Sequence, residues 1–129
     1  MMMTTDLRFD EPGICAHLNQ LSDEALDALP FGVIGFDSGG HVRRYNQHES
    51  VASAFPRQNV IGQHAFVELA PCLNNYLVAG RFTEAEHDGQ VLDEVLPYVL
   101  TFRMRPTRAR LRLLYQPGET MCYMLIDRA

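Results

Sequence analysis

The chain contains no lysine and no tryptophan, and all eleven of its basic residues are arginine. The absence of lysine excludes every mechanism that needs a lysine amine, including Schiff bases with pyridoxal, retinal or carbonyl substrates. It also excludes the lysine-containing loop that binds phosphates in P-loop proteins. A ligand covalently attached to this chain is therefore expected on a cysteine.

The sequence also lacks the features of secreted, membrane-spanning and nucleic-acid-binding proteins. No apolar run approaches the roughly 20 residues that span a bilayer, and residues 1–8 have neither the basic end nor the apolar stretch of a signal peptide. The net charge is −5, which disfavours nucleic acid because affinity for phosphates depends on Lys and Arg. We expect a cytoplasmic protein that binds neither membranes nor nucleic acid.

The spacing of cysteine and histidine indicates neither a disulfide framework nor a metal site. Cys15, Cys72 and Cys122 form no CxxC pair. An odd number of cysteines in a cytosolic chain predicts reduced thiols, two of them small core residues. The five histidines lack metal-ligand spacing, so we expect no metal.

The length of 129 residues corresponds to one domain. A chain of this size buries roughly two-thirds of the surface that it exposes when unfolded, so it needs no covalent cross-links to fold. The sequence has no internal repeats, low-complexity tracts or linkers. We therefore predict a single domain over residues 1–129.

The first half of the chain predicts short helices followed by a hairpin. Residues 12–28 favour helix, with Ser22 as an N-cap and two acidic residues in the first turn. Residues 31–37 and 41–45 read as two strands joined by a glycine turn. Asn46, followed three residues later by a glutamate, resembles a capping box and predicts another short helix.

The second half predicts one long helix and three strands. The helix is expected over residues 74–88, ending at Gly89. Strands are expected at 95–104, 108–113 and 121–126. This order describes an α+β fold, a central antiparallel sheet of about five strands with helices on one face.

The strand predicted at 108–113 alternates strictly between arginine and apolar residues. Arg108, Arg110 and Arg112 therefore share one face. The simplest interpretation of that face is that it is solvated, and contact with a partner is the alternative.

Cys72 is the first candidate for chemistry. It stands just ahead of the predicted long helix, where the helix dipole would stabilise a thiolate and make it more nucleophilic. A buried or half-buried cysteine without a function is the simpler interpretation of its position alone.

Tyr45 and Glu49 are the second candidate. They are four residues apart, and the transition from strand to helix could turn both toward one cavity. A carboxyl buried there would stay protonated near neutral pH and donate a hydrogen bond beside the phenol. The simpler alternatives are that Glu49 only closes the capping box with Asn46 and that Tyr45 is a half-buried strand aromatic.

Identities spread over nearly the whole chain resemble the photoactive yellow protein family of the PAS superfamily. Their order and spacing are specific, and the strongest of them are Tyr45, Glu49 and Ala70-Pro71-Cys72. The others are Phe31-Gly32, Asp37 before a glycine turn, Asn46, Val60-Ile61-Gly62, Phe66, Gly80, Phe82, Gly89 and Met104-x-Pro106-Thr107.

The resemblance implies a PAS fold, with residues 1–28 as a short N-terminal helical cap and 31–129 as the core. It implies a p-coumaric (4-hydroxycinnamic) acid group carried by Cys72 as a thioester. Tyr45 and a protonated Glu49 would hydrogen-bond its phenolate oxygen, and Ser53 would support Tyr45. The pocket would be lined by Ile34, Phe55, Phe66, Leu69, Ala70, Leu100 and Met104.

Three positions depart from the family's pattern. Phe55 stands where the family commonly has an arginine, Ala65 is smaller than the usual aromatic, and Leu100 replaces an aromatic that packs against the ring. These departures predict a roomier pocket, or one that has taken another ligand.

Three functions remain in competition. The first is a blue-light photoreceptor with p-coumaric acid on Cys72, favoured by the joint presence of Tyr45 and Glu49. The second is a light-independent PAS domain that binds another small molecule or a protein. The third and least favoured is a Cys72-dependent enzyme with His64 or His48 as its base. We expect a sensor without enzyme activity that is a monomer or weak homodimer, and the sequence names no downstream signalling protein.

Overall fold

A computed structural model of the chain describes residues 7–101 and 106–128. The described chain forms a five-stranded antiparallel sheet in the order β2-β1-β5-β4-β3. The strands are β1 (Gly32–Asp37), β2 (Val42–Tyr45), β3 (Leu92–Leu100), β4 (Thr107–Tyr115) and β5 (Met121–Asp127). The predicted α+β fold and its antiparallel sheet are confirmed.

Short helices precede, interrupt and cover this sheet. Two lie at the N-terminus and three between β2 and β3: α1 (Ile14–Gln20), α2 (Asp23–Asp27), α3 (Gln47–Ser53), α4 (Arg57–Val60) and α5 (Ala79–Asp88). A π-helical turn at Ala65–Leu69 and a 3₁₀ turn at Pro71–Leu73 connect α4 to α5. Within the described residues, no helix has the length and apolar character needed to cross a membrane.

Alternation along the strands buries both faces of the sheet. In β5, Met124 and Ile126 belong to one apolar cluster, whereas Tyr123 and Leu125 belong to another. The first cluster packs against the segments between β2 and β3, and we call it the pocket core. The second packs under α1 and α2, and we call it the cap core. Residue parity therefore decides which core a strand residue enters.

The N-caps expected at Ser22 and Asn46 are confirmed by hydrogen bonds. The Ser22 side chain accepts a hydrogen bond from the backbone N–H of Ala25, and the Asn46 side chain accepts one from Glu49. Gly89 ends α5 in the left-handed conformation, with φ of 63°, which glycine adopts at little cost.

The long helix is shorter than predicted, because α5 begins at Ala79 and not near residue 74. The side chain of Asn75 accepts hydrogen bonds from the backbone N–H groups of Leu77 and Val78. Asparagine thus offers these donors an alternative to helix, which delays its start. The strand predicted at 95–104 begins at Leu92, and its predicted end lies outside the described residues.

The prediction of a solvated arginine face is wrong for Arg112. Its side chain is 6% exposed and forms an ion pair with Asp93. It also donates to the backbone carbonyls of Phe9 and Glu11, at 2.9 Å each. The N-terminal segment covers this end of the sheet, and a guanidinium has enough donors to satisfy its carbonyls. Arg108 and Arg110 are exposed, as predicted.

Candidate functional site

Tyr45 ends β2 inside the pocket core, and its hydroxyl meets the first helix that follows. The phenol oxygen lies 2.7 Å from Ser53 Oγ, and both side chains are buried. Ser53 Oγ also accepts a hydrogen bond from the backbone N–H of Phe55, at 3.2 Å. Burial raises the pKa of Tyr45 to about 12; the Ser53 hydrogen bond opposes this rise and the Glu49 charge adds to it. Tyr45 is therefore a neutral phenol near pH 7, able to donate a hydrogen bond.

Glu49 lies in the first turn of α3 but does not complete a capping box. The backbone N–H of Asn46, which Glu49 would have to bind, donates instead to the carbonyl of Val33, at 3.2 Å. The Glu49 side chain turns inward and is 1% exposed. A Cβ at position 32 would lie 2.1 Å from Glu49 Oε1, so the carboxyl reaches its place only because β1 has glycine there. The simpler alternative for Glu49 is thus wrong.

The partner of Glu49 is Arg128, just beyond the end of β5. Arg128 Nη1 donates to Glu49 Oε1 at 2.7 Å, and Nη2 donates to Oε2 at 2.9 Å. Burial raises the pKa of the Glu49 carboxyl, while the hydrogen bonds and charge of Arg128, and to a smaller extent His48, oppose that rise. The carboxyl is therefore held between desolvation, which favours its neutral form, and a cation that favours its charged form.

Cys72 lies half-buried in the 3₁₀ turn and packs against the pocket core. Its backbone carbonyl accepts hydrogen bonds from the Tyr98 hydroxyl, at 2.7 Å, and from Asn75 Nδ2, at 3.3 Å. Because α5 begins seven residues later, at Ala79, the expected position at the N-terminus of the long helix is not found. Polar contacts to its own carbonyl, and not a helix dipole, fix the place of Cys72.

The predicted pocket residues gather around these groups. Six belong to the pocket core or pack directly against it: Ile34, Phe55, Phe66, Leu69, Ala70 and Leu100. Met104 lies outside the described residues. The structure thus brings Tyr45, Ser53 and Cys72 into one apolar neighbourhood, and their roles toward a ligand stay predictions.

The other two cysteines are buried in the cores, as expected. Burial raises the pKa of Cys15 to about 11 and that of Cys122 to about 12. All three cysteines are free. Cys15 and Cys122 are therefore neutral and inaccessible near pH 7, which leaves Cys72 as the cysteine with some exposure.

The histidines considered as catalytic bases have other surroundings. His64 Nδ1 accepts hydrogen bonds from the backbone N–H groups of Phe66 and Val67, both at 3.2 Å, and so caps the π-helical turn. In the part of the chain that the structure describes, no hydrogen bond joins the Cys72 thiol to His64 or His48. The described residues also contain no group of three or more His, Cys, Asp or Glu side chains that could hold a metal ion.

Sequence reasoning missed Arg128, Asn75 and Tyr98. Arg128 has the same parity as Met124 and Ile126, so the strand pattern directs it to the pocket core. Asparagine, as at position 75, is common in turns, but the helical pattern of the residues that follow favoured a helix that begins before it. The contact of Tyr98 with a residue 26 positions away had no signal in the sequence.

Comparisons of sequence and of structure both show similarity to photoactive yellow proteins. The photoactive yellow proteins of Halochromatium salexigens and Rhodothalassium salexigens are 32% and 30% identical to this chain over 107 residues, which is 83% of this chain and 85% of each relative. The crystal structure of the photoactive yellow protein domain from the sensor histidine kinase Ppr of Rhodospirillum centenum superposes with a TM-score of 0.80 and 31% identity, covering 88% of this chain and 98% of that one. No protein-family model matches the chain.

Proposed function

Because this chain belongs to the photoactive yellow protein family, we propose that it is a blue-light-sensing PAS domain with a p-coumaroyl group bound to Cys72 as a thioester. The observation that carries this proposal is a buried, neutral phenol at Tyr45, beside a buried carboxyl at Glu49, in the same apolar core against which Cys72 packs. When bound, such a group supplies a double bond whose light-driven isomerisation moves its phenolic end.

The residues present suit both ends of this ligand. Cys72 is half-buried, and the hydrogen bond from Tyr98 to its carbonyl fixes the backbone that carries the thiol. Ser53 holds the Tyr45 hydroxyl at a fixed position. Tyr45 would donate a hydrogen bond to a phenolate, and a charge-assisted bond of this kind is roughly twice as strong as a neutral one.

Glu49 would contribute the second donor when it is protonated. Transfer of its proton to a phenolate would leave a carboxylate that is 1% exposed, and a buried charge is costly unless a partner such as Arg128 pairs with it. This change of charge, and of the partner that it requires, would favour a rearranged state of the domain after light absorption. The change of charge at one buried side chain would then serve as the signal.

Reconstitution tests the proposal. Protein incubated with activated p-coumaric acid should gain the mass of one acyl group and a visible absorption band. Cys72→Ala should gain neither, whereas the matched variant Cys122→Ala, which removes a buried thiol from the same core, should gain both. A folded protein without adduct or band would refute the proposal.

A light-independent PAS sensor is the second candidate, and one region favours it. Phe55 and Leu69 line a cleft of about 170 Å³ at the edge of the pocket core, and Ala65 and Leu100 leave less bulk in that core than aromatic residues would. Asn59, Gln63 and Glu68 also line the cleft, so a small molecule with an apolar part and a polar group would fit these surroundings. Native mass spectra of the purified protein should then show a bound molecule other than a cinnamoyl group. Spectra of Leu69→Trp, whose larger side chain fills the cleft, should lack this molecule.

A further inference from the structure

The ion pair between Arg128 and Glu49 is unusual because both of its side chains are largely buried. Glu49 is 1% exposed and the Arg128 side chain is 15% exposed, and both guanidinium Nη atoms bind the carboxyl. Bidentate geometry of this kind adds specificity as well as energy. Removing one partner of a buried pair leaves an unpaired charge, which is strongly unfavourable.

The fold explains how the two residues meet. β1 pairs with β5 so that Gly32 lies opposite Ile126, two residues before Arg128. Glu49 lies over Gly32, and Arg128 has the parity of the strand residues that enter the pocket core. The guanidinium thus reaches the carboxyl across the glycine, and the pair links α3 to the end of the last strand.

Arg128 and a phenolate place opposite demands on Glu49. The two Nη donors engage both carboxyl oxygens as acceptors, an arrangement that suits the ionised form. Donation to a phenolate requires a proton on one of those oxygens. The carboxyl therefore cannot serve both partners in full at the same time.

We propose that Arg128 and the phenolic end of the pocket ligand are competing partners of Glu49, so that Arg128 is a positioning residue that ties the state of the pocket to the end of β5. The ligand half of this inference rests on the proposed function. When Glu49 is neutral and bound to the ligand, Arg128 is released from the carboxyl. When Glu49 is ionised, Arg128 returns and supplies the pairing that a buried carboxylate needs.

The first test needs no ligand. Infrared spectra of the purified protein are recorded across pH, and the Glu49 carboxyl band is identified by its loss in Glu49→Gln. Arg128→Gln removes the cation, so the protonated band should persist to higher pH than in the wild type. Arg128→Lys keeps the positive charge but not the paired guanidinium donors. Its protonated band should persist to a pH between those of the wild type and Arg128→Gln. Arg108→Gln, at an exposed position, should titrate as the wild type does.

The other titratable groups near Glu49 are Tyr45 on β2 and His48 on α3. Tyr45 stays neutral throughout the range because its pKa is raised to about 12. Repeating the titration with His48→Gln removes the other side chain whose charge would lower the pKa of Glu49. An identical Glu49 titration in the wild type and in Arg128→Gln, in both backgrounds, would overturn the pairing.

The second test follows Arg128 when the ligand is loaded. NMR spectra of the arginine guanidinium groups are compared before and after reconstitution with p-coumaric acid, with Arg128 assigned by its absence from Arg128→Lys. Its Nη–H signals should be slow to exchange before loading and should broaden after it. Signals that stay slow in a protein carrying the adduct would overturn the competition.

The two tests separate the two proposals. No adduct in any variant refutes the proposed function and the competition with it, whereas the infrared result still decides whether Arg128 controls the protonation of Glu49. As a further check, dark recovery after illumination should be faster in Arg128→Gln, by about tenfold for a loss of pairing equivalent to one pKa unit, because the illuminated state then holds an unpaired carboxylate. Unchanged recovery together with an unchanged titration would contradict the inference completely.

Discussion

The two faces of the sheet both use arginine, but they give it different partners. On the cap side, Arg44 donates to the backbone carbonyls of Leu18 and Leu21, and Arg112 donates to those of Phe9 and Glu11. On the pocket side, Arg128 binds the carboxyl of Glu49.

The difference lies in whether the titratable partner is buried. Arg44 and Arg112 fasten the N-terminal segment through carbonyl oxygens, which never ionise near neutral pH. They also pair with carboxylates, but the Asp23 and Asp93 side chains are 79% and 40% exposed, whereas Glu49 is 1% exposed. Glu49 changes its charge and therefore its preferred partner. The cap side of the sheet holds the N-terminal segment in place, whereas the pocket side contains the Glu49 carboxyl, whose partner depends on whether it is protonated.

The largest expected effect tests the fixed face. Arg112→Met should lower the free energy of unfolding by about 3 kcal/mol, because it leaves two carbonyls and Asp93 without their donor. Urea denaturation measures this loss. Arg108→Met, an exposed arginine on the same strand, should change stability by less than about 0.5 kcal/mol. Equal losses in the two variants would contradict the role of Arg112.

On the pocket face, a smaller loss is expected from Tyr98→Phe. The hydroxyl binds the Cys72 carbonyl and Asn75 Nδ2, so its removal should cost about 1 kcal/mol. It should also slow acylation of Cys72, which a competition assay with activated p-coumaric acid measures. The control is Tyr76→Phe, at a residue that is 81% exposed. If the control slows acylation as much, Tyr98 does not position Cys72.

Ser53→Ala should have an effect of about 1 kcal/mol or less on stability, since it removes the hydrogen bond to Tyr45. Its clearer consequence is spectroscopic. The Ser53 hydrogen bond lowers the pKa of Tyr45 against the effect of burial, so the variant should ionise Tyr45 at still higher pH. Ultraviolet titration of the tyrosines measures this shift, and a downward shift would show that another donor controls the phenol.

The smallest expected effect is a dependence of the free energy of unfolding on pH. Burial raises the pKa of Glu49 above its unfolded value, so the folded state binds more protons than the unfolded state. The stability contributed by the neutral carboxyl is complete below about pH 4.3 and is lost as the pH rises through the folded pKa. Unfolding free energies of the wild type should therefore fall relative to Glu49→Gln across this range. A relative rise would mean that Arg128 outweighs burial.

Much of the fold could be predicted from local signals. The hairpin turn, the caps at Ser22 and Asn46 and the alternation of the last strands are each encoded within a few residues, and the structure confirms them. The start of α5 was wrong because one side chain, Asn75, competes with the helix through contacts that a periodic pattern does not contain.

The candidate site could be predicted less completely. Position and residue type made Tyr45, Glu49 and Cys72 candidates, each with a simpler interpretation. The resemblance joined them into one predicted site and added Ser53. The arginine that binds Glu49 is 79 residues away in the chain, and the carbonyls that Arg112 binds are 101 or more residues away. Such pairings depend on sheet register and on which face each segment covers. The extent of the domain, 1–129, stays a prediction.

The most direct test of the central claim is the response of reconstituted protein to blue light. With p-coumaric acid on Cys72, the visible band should bleach under illumination and return in the dark, and Cys72→Ala should show no band at all. A protein that carries the adduct but does not respond to light, or that takes no adduct while folded, would contradict the account.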